Sequence, residues 1–324
     1  MNLQQLEYIV SVDVHRQFIA AAEANHVTQA TLSMMVKKLE EELGVQLFDR
    51  SRQPVRPTPA GERVIARAKE ILRGVQRLRE SVAEEQHGLS GELRLGIIPT
   101  LAPYLLPLFI APFLERYPEV RLSVSEHTTE ELVRRLRDDS LDAGILATPL
   151  KASGITEHPL FYEPFVVYAS SVEQWPRKRY LLSEDIDVER LWLLEEGHCL
   201  RSQVVNLCAL KRREKELHRL DLEAGSIETL KKIVETNRGI TILPELAVKD
   251  LSAQQRRNIR RFQAPVPVRE VSLVTAHHFS RTRLVQALCD EVMRSVPAAM
   301  RSKERTRKIP VQVRERNGRG ANAL

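Results

Sequence analysis

Over the first 43 positions, apolar residues recur three and four apart rather than alternating. Leu3, Leu6, Ile9 and Val10 line one face of a first helix. A second runs from Phe18 to about Ala24, and its Ala20-Ala21-Ala22 run lets a neighbouring helix approach closely. Asn25-His26-Val27 breaks the pattern, Thr28 caps a third helix from about Gln29 to Leu43, and Gly44 ends it. Two short helices, a tight turn and a small-residue contact make a helix-turn-helix pattern. The third helix carries Thr28, Gln29, Thr31, Ser33 and Met34 near its N-terminal end, where such helices meet base edges. Lys37 and Lys38 follow, and Arg50, Arg52 and Arg56 lie in a Pro-punctuated stretch that suits a β-wing gripping phosphate. These residues are expected to bind double-stranded DNA.

From Pro59 to His87 one long helix is expected. Val64, Ala68, Ile71, Val75, Leu78 and Val82 form a heptad seam over about three heptads. Gly74 inside it costs about 1 kcal/mol relative to alanine, which pairing with a second chain would offset. Packing against its own chain is the other reading. A dimer would set two reading helices on the two half-sites of a palindrome-like site.

After a linker at His87-Gly88-Leu89-Ser90-Gly91, strand and helix patterns alternate. Strands are expected at Glu92–Ile98, Val120–Glu126, Ala143–Ala147, Phe165–Ala169, Leu191–Glu195, Ile240–Leu243 and Val271–Thr275. Helices fall at Tyr104–Tyr117, Thr129–Arg137 and between several later strands. The reading is α/β with a mainly parallel sheet, long enough for two lobes with a cleft. Leu95 to Leu114 carries no charge, but Pro99, Pro103, Pro107 and Pro112 would break an isolated membrane helix. It reads as a strand, a turn and a buried helix, so no membrane partner is expected.

Charge changes the picture little. Net charge is +6, yet residues 297–324 hold eight cations against two acids, leaving 41 of each sign in the rest. That basic tail reads as disordered, so a DNA claim rests on the local motif. No signal-peptide pattern opens the chain, and three cysteines fit a reducing compartment, so a cytoplasmic protein is expected. His277-His278 has no metal-ligand spacing to a cysteine, and neither metal nor cofactor is expected.

Four stretches resemble the N-terminal signature of LysR-type transcriptional regulators: Phe18-Ile19-Ala20-Ala21-Ala22, Val27 to Ser33, Leu39 to Arg50, and Thr58-Pro59-Ala60-Gly61-Glu62. The resemblance implies a winged helix-turn-helix (1–58) and a dimerising linker helix with hinge (59–90). It also implies a two-lobed α/β effector domain (91–296) similar to type 2 periplasmic binding proteins. Lobe I would span about 91–163 plus 268–296, and lobe II about 164–267. A dimer of dimers, RNA polymerase as partner and regulation without enzymatic turnover come with the family.

Within the family, Gly96 to Thr100, Pro103 to Pro107, Leu194 to Arg201 and Ser226 to Leu230 resemble the branch that senses hydrogen peroxide. In that branch the cysteine of the His-Cys-Leu-Arg run reacts with peroxide and a second, nine residues on, resolves it. These positions match Cys199 and Cys208. The peroxide-holding threonines align with Thr100 and Thr129, with His198 beside them. Ser202 stands where that branch commonly has an aspartate. A pocket arginine common on a late strand is sought near Ala276-His277 and is not there, leaving His277, His278 or Arg281 to take its place.

Read from the residues alone, Cys199 sits where a helix should start, between His198 and Arg201, and such settings stabilise thiolate. Cys208, beside Val204, Val205 and Leu207, reads equally well as a core thiol, and Cys289 as core. A continuous helix would hold Cys199 and Cys208 about 13 Å apart along its axis, whereas a disulfide needs Cα atoms within about 7 Å. Bonding would therefore unwind the helix. A small organic effector bound between the lobes, with both cysteines reduced, is the alternative reading. A thiol peroxidase would need a reductant site that nothing in the sequence suggests.

Overall fold

The computed structural model describes residues 1–51, 53–150, 152–170, 180–187, 190–195, 198–208, 224–237, 239–277, 279 and 281–311, with the side chains of 77 and 80–87 left aside. The chain divides into two compact units, 1–88 and 89–324.

In the first unit, α1 (Leu3–His15), α2 (Phe18–Ala24) and α3 (Gln29–Leu43) pack around Ile9, Val12, Leu32, Val36 and Leu39. Thr28 caps α3 by accepting from the Thr31 amide, and Gly44 ends it at φ +68°, a left-handed conformation that costs glycine nothing. The wing is β1 (Phe48–Asp49) paired antiparallel with β2 (Arg56–Pro57). Helix α4 (Pro59–His87) then divides along its length. Ile65 and Ala68 are buried in the core of this unit, with Val64 and Leu72 partly buried against it. Ile71 and Leu78 stand exposed at 44% and 66%. The expected seam is therefore corrected at its start. Val64 and Ala68 pack on their own chain because α1 lies against α4, and the exposed part begins at Ile71. The Val82 side chain lies outside the described residues.

The second unit opens with β3 (Gly91–Ile97), α5 (Ala102–Arg116), β4 (Val120–Glu126), α6 (Thr129–Arg137) and β5 (Ala143–Thr148). Strand β3 pairs parallel with β4 and β5. Gly96 lets α6 descend onto the sheet, since a Cβ there would sit 2.2 Å from Leu132 Cδ2. Strand β6 (Ile155–Ala169) follows, then α7 (Cys199–Leu207), α8 (Ile227–Asn237) and β7 (Ile240–Pro244). The order ends with α9 (Ala253–Arg256), β8 (Ile259–Arg261), β9 (Val266–Ala276), α10 (Thr282–Ser295) and β10 (Thr306–Lys308).

Two long strands join the lobes. β6 pairs antiparallel with β9 along Ile155–Pro164, then with β7 and β8 along Phe165–Ala169. One apolar core gathers Leu95, Phe109, Leu132, Ile145 and Leu273; the other gathers Phe165, Val167, Leu200, Val234 and Leu243. Tyr104 Oη of α5 donates to Glu228 Oε1 of α8 at 2.6 Å, tying lobe to lobe. No described helix is long and apolar enough to cross a membrane.

Several sequence expectations need correction. The sheet is mixed rather than mainly parallel, because β9 returns antiparallel between β5 and β6. Strands β6 and β9 run far longer than their apolar stretches, since Pro159, Glu163, Pro267, Arg269 and Glu270 interrupt the pattern without ending the strands. Leu191–Glu195 is no strand, only single parallel bridges at Leu191 and Leu194. Residues 297–311 of the basic tail are ordered: a 3₁₀ turn at Ala298–Met300 buries Met300, and β10 pairs parallel with β9. Residues 312–324 lie outside the described residues.

Candidate functional site

In the first unit, Gln29, Thr31, Lys37 and Lys38 are exposed along α3, with Met34 at 62% and Ser33 half-buried. The Thr28 hydroxyl also meets that of Thr31 at 2.8 Å, so its first task is the cap. Arg50 is not a bare cation: it donates to Glu40 Oε2 at 2.9 Å and Ser33 Oγ at 3.2 Å and lies 4.8 Å over the Phe18 ring. It braces the wing against α3. Arg56 is exposed on β2, and Arg52 lies outside the described residues.

The second unit brings four chain segments to one buried point. Cys199 is the first residue of α7, with His198 at the cap position, and is 7% exposed. Thr129, the first residue of α6, is also buried, and its hydroxyl is hydrogen-bonded to Cys199 Sγ. Thr100 follows β3 and is 3% exposed. Arg269, fully buried on β9, donates through Nη1 to Thr100 Oγ1 and through Nη2 to its carbonyl, both at 3.1 Å. Its other partner is Glu163 of β6, with Nε 2.8 Å and Nη2 2.7 Å from Oε2. Glu163 Oε1 accepts from the Leu246 amide at 2.8 Å, so the carboxylate is held on both oxygens. A buried charge pair needs such bonds to repay its lost hydration.

The late strand does carry a buried arginine, within β9 and not at its end: Arg269, seven residues before Ala276. His277 Nδ1 lies 3.3 Å from Thr156 Oγ1, and Arg281 donates to the Glu92 and Ser90 carbonyls at the start of β3. His278 lies outside the described residues. A signal in the sequence is the set of charges inside otherwise apolar stretches, Glu163 in Phe161-Tyr162-Glu163-Pro164-Phe165 and Arg269 with Glu270 between Val268 and Val271, which suits buried ion pairing.

Opposing influences act at Cys199, and burial prevails. Burial pushes the thiol up, while the Thr129 hydrogen bond and the Arg269 charge pull it back. The expected flanking cation is elsewhere, because Arg201 Nη1 donates to the Leu194 carbonyl at 2.9 Å. His198 Nε2 lies 3.5 Å from Glu195 Oε1. Ser202, in place of the acid, donates to the Cys199 carbonyl at 2.8 Å. Cys208 caps the far end of α7, half-buried against the lobe II core, and burial pushes its thiol up to about 12. Cys289 lies in the lobe I core, also pushed up to about 12. Among the described residues no group of three or more His, Cys, Asp or Glu could hold a metal ion.

Residues 3–62 match the model of the bacterial regulatory helix-turn-helix protein of the lysR family, and residues 86–297 that of the LysR substrate binding domain. The chain belongs to the LysR family. Among LysR-family relatives, it is 36% identical over 274 residues to the hydrogen peroxide-inducible genes activator of Dickeya chrysanthemi, covering 85% of this chain and 89% of that one. The fold is similar to a full-length OxyR cysteine-to-aspartate variant from Pseudomonas aeruginosa, with TM-score 0.72, 36% identity, and 91% and 99% of the two chains covered. A cysteine-to-serine OxyR mutant from Corynebacterium glutamicum with hydrogen peroxide bound aligns with TM-score 0.61 and 30% identity, covering 91% and 92%. This LysR-family chain thus places a buried thiol beside a hydroxyl and a fixed cation, groups that can stabilise an anionic sulfur or a polarised oxygen.

Proposed function

We propose that this LysR-family regulator is switched by hydrogen peroxide through Cys199 and Cys208. The observation that carries the reading is the Thr129 hydroxyl on Cys199 Sγ, with Arg269 fixed to Thr100 behind it. The Cys199 thiolate attacks one peroxide oxygen, the O–O bond breaks, and hydroxide leaves and takes up a proton as water. Cys199 becomes a sulfenic acid. The Cys208 sulfur then attacks Cys199 Sγ, the S–O bond breaks, and water leaves with the thiol proton, giving a disulfide. Thr100, Thr129 and His198 would hold peroxide, and Arg269 joins them as the fixed charge.

The first unit would read double-stranded DNA through Gln29, Thr31, Ser33, Met34, Lys37 and Lys38 of α3, capped by Thr28, and grip phosphate with Arg50, Arg52 and Arg56. Ile71, Val75, Leu78 and Val82 of α4 would meet a second chain, within a dimer of dimers that contacts RNA polymerase from the cytoplasm. Thiol titration and peptide mapping before and after one equivalent of peroxide test the switch. Loss of the Cys199 and Cys208 thiols, with a linked peptide, is expected. Both thiols intact while operator binding still responds would assign the signal to a small organic effector between the lobes.

A further inference from the structure

Residues 298–311 lie past the end of the match to the LysR substrate binding domain, yet they are built into the second unit at several places. Met300 is buried in the lobe I core and Ile309 in the lobe II core. Between them, β10 lies parallel to β9 at Val266–Val268, beyond the stretch of β9 that pairs with β5. The pairing is closed at both ends, by the Val266 amide to the Arg305 carbonyl and the Ile309 amide to the Val268 carbonyl. Lys308 Nζ meets the buried carboxylate of Glu270, next in sequence to Arg269. Lys303 and Lys308 also lie 5.3 and 5.2 Å from the centre of the Tyr162 ring.

The last contacts fall on α7. Gln203, fully buried, donates through Nε2 to the Ile309 carbonyl at 2.9 Å, and Asn206 donates through Nδ2 to the Pro310 carbonyl at 3.2 Å. Both donors lie between Cys199 and Cys208. A helix of nine residues has little stability of its own and depends on contacts with the rest of the fold. The turns held by this segment are the ones that must unwind before two sulfurs about 13 Å apart along the axis can bond.

We propose that residues 298–311 form a clasp that keeps α7 helical in the reduced protein and lets go when the disulfide forms. The inference rests on the thiol-switch reading above. Because the clasp grips the middle of α7 and not the Cys199 sulfur, it restrains condensation of the sulfenic acid with Cys208 and leaves the attack on peroxide alone.

The test compares the full chain with chains ending at Arg301 and at Val311, and with Gln203→Met, which keeps the clasp but removes one donor. The Arg301 ending retains Met300 in its core. Hydrogen exchange over residues 199–208 is measured in the reduced proteins. Sulfenic acid and disulfide are followed by rapid quench and mass spectrometry after peroxide. The Arg301 ending should exchange, and convert sulfenic acid to disulfide, about tenfold faster than the full chain. Gln203→Met should show a smaller change in the same direction, and the Val311 ending none. Peroxide attack should proceed at the same rate in all four. In the full chain, oxidation should release protection at Ile309. Unchanged exchange and condensation in both the Arg301 ending and Gln203→Met overturn the clasp. Faster exchange with no disulfide in any chain leaves a brace for α7 and removes the thiol switch, so the two failures are distinct.

Discussion

At the N-terminal end of α7 a sulfur meets a threonine hydroxyl, and a buried guanidinium offsets part of the rise that burial gives its thiol. At the C-terminal end, one residue past the helix, the other sulfur packs against the apolar core of lobe II, and burial alone shifts its ionisation. The residue type is the same and the surroundings are opposed. Thiolate is the nucleophile, so in the proposed switch the end with a hydroxyl and a positive charge beside its sulfur attacks first, and the other end supplies the thiol for condensation. The proposed order of events rests on that difference and not on which cysteine is more exposed.

The largest expected effect comes from exchanging sulfur for oxygen at either end. Cys199→Ser should abolish peroxide consumption and the disulfide, since serine has no sulfur to oxidise. Cys208→Ser should leave the first step intact and let sulfenic acid accumulate, which a carbon-nucleophile probe captures at Cys199. Equal loss of sulfenic acid in both variants would show that the two ends are not divided in this way.

Next in size is the charge behind the pocket. Arg269→Gln leaves Glu163 buried without its partner, which should cost about 3–5 kcal/mol of stability. Glu163→Gln added to it should restore part of that stability by removing the stranded carboxylate. Sulfenic acid formation should stay slow in the double variant, because the cation is still missing. Recovery of the rate together with stability would reduce Arg269 to a structural brace. Unfolding by denaturant and rapid-quench rates, measured on the same samples, separate the outcomes.

How far the sequence disclosed these regions follows from how they are built. The DNA-reading unit is contiguous: cap, helix face and terminating glycine lie within the stretch from Thr28 to Gly44, and local rules find them. The surroundings of Cys199 draw on residues as distant as Thr100, Thr129 and Arg269, which only the resemblance could join. Even so the resemblance points to the end of β9 and passes over Arg269 within it. The apolar pattern foreshortens β9, since its buried Arg269 and Glu270 read as polar interruptions. The same effect hides β10, where basic composition masks a strand whose Lys308 is matched by Glu270 and Tyr162.

A smaller effect should follow from removing the hydroxyl at the first end. Thr129→Val preserves shape and deletes the hydroxyl that is hydrogen-bonded to Cys199 Sγ. Losing one such bond should raise the thiol further and slow attack by about tenfold. Thr100→Val, whose hydroxyl accepts from Arg269, should also slow attack and disturb the guanidinium. If Thr129→Val reacts as fast as the parent, Arg269 alone supports the thiolate.

The smallest expected effect is a pH dependence that belongs to the other end. The Cys208 thiol is raised to about 12 in the fold, against about 8.5 in an unfolded chain. Below pH 8 both states hold the proton and the cysteine adds no slope. Above pH 8.5 the unfolded chain releases it while the folded chain keeps it, so stability falls as pH rises. The loss continues until the folded thiol itself ionises near 12, and one thiol contributes at most about 1.4 kcal/mol per pH unit. Cys289, raised to the same level in the lobe I core, should contribute a similar slope. Denaturant unfolding of reduced protein at pH 7.5 and 9.5 should therefore show a smaller alkaline loss in Cys208→Ala than in the parent. Comparing the losses, and not the stabilities, cancels the packing cost of the substitution. An unchanged loss would mean that the Cys208 sulfur already ionises in the fold, and the contrast between the two ends of α7 would vanish.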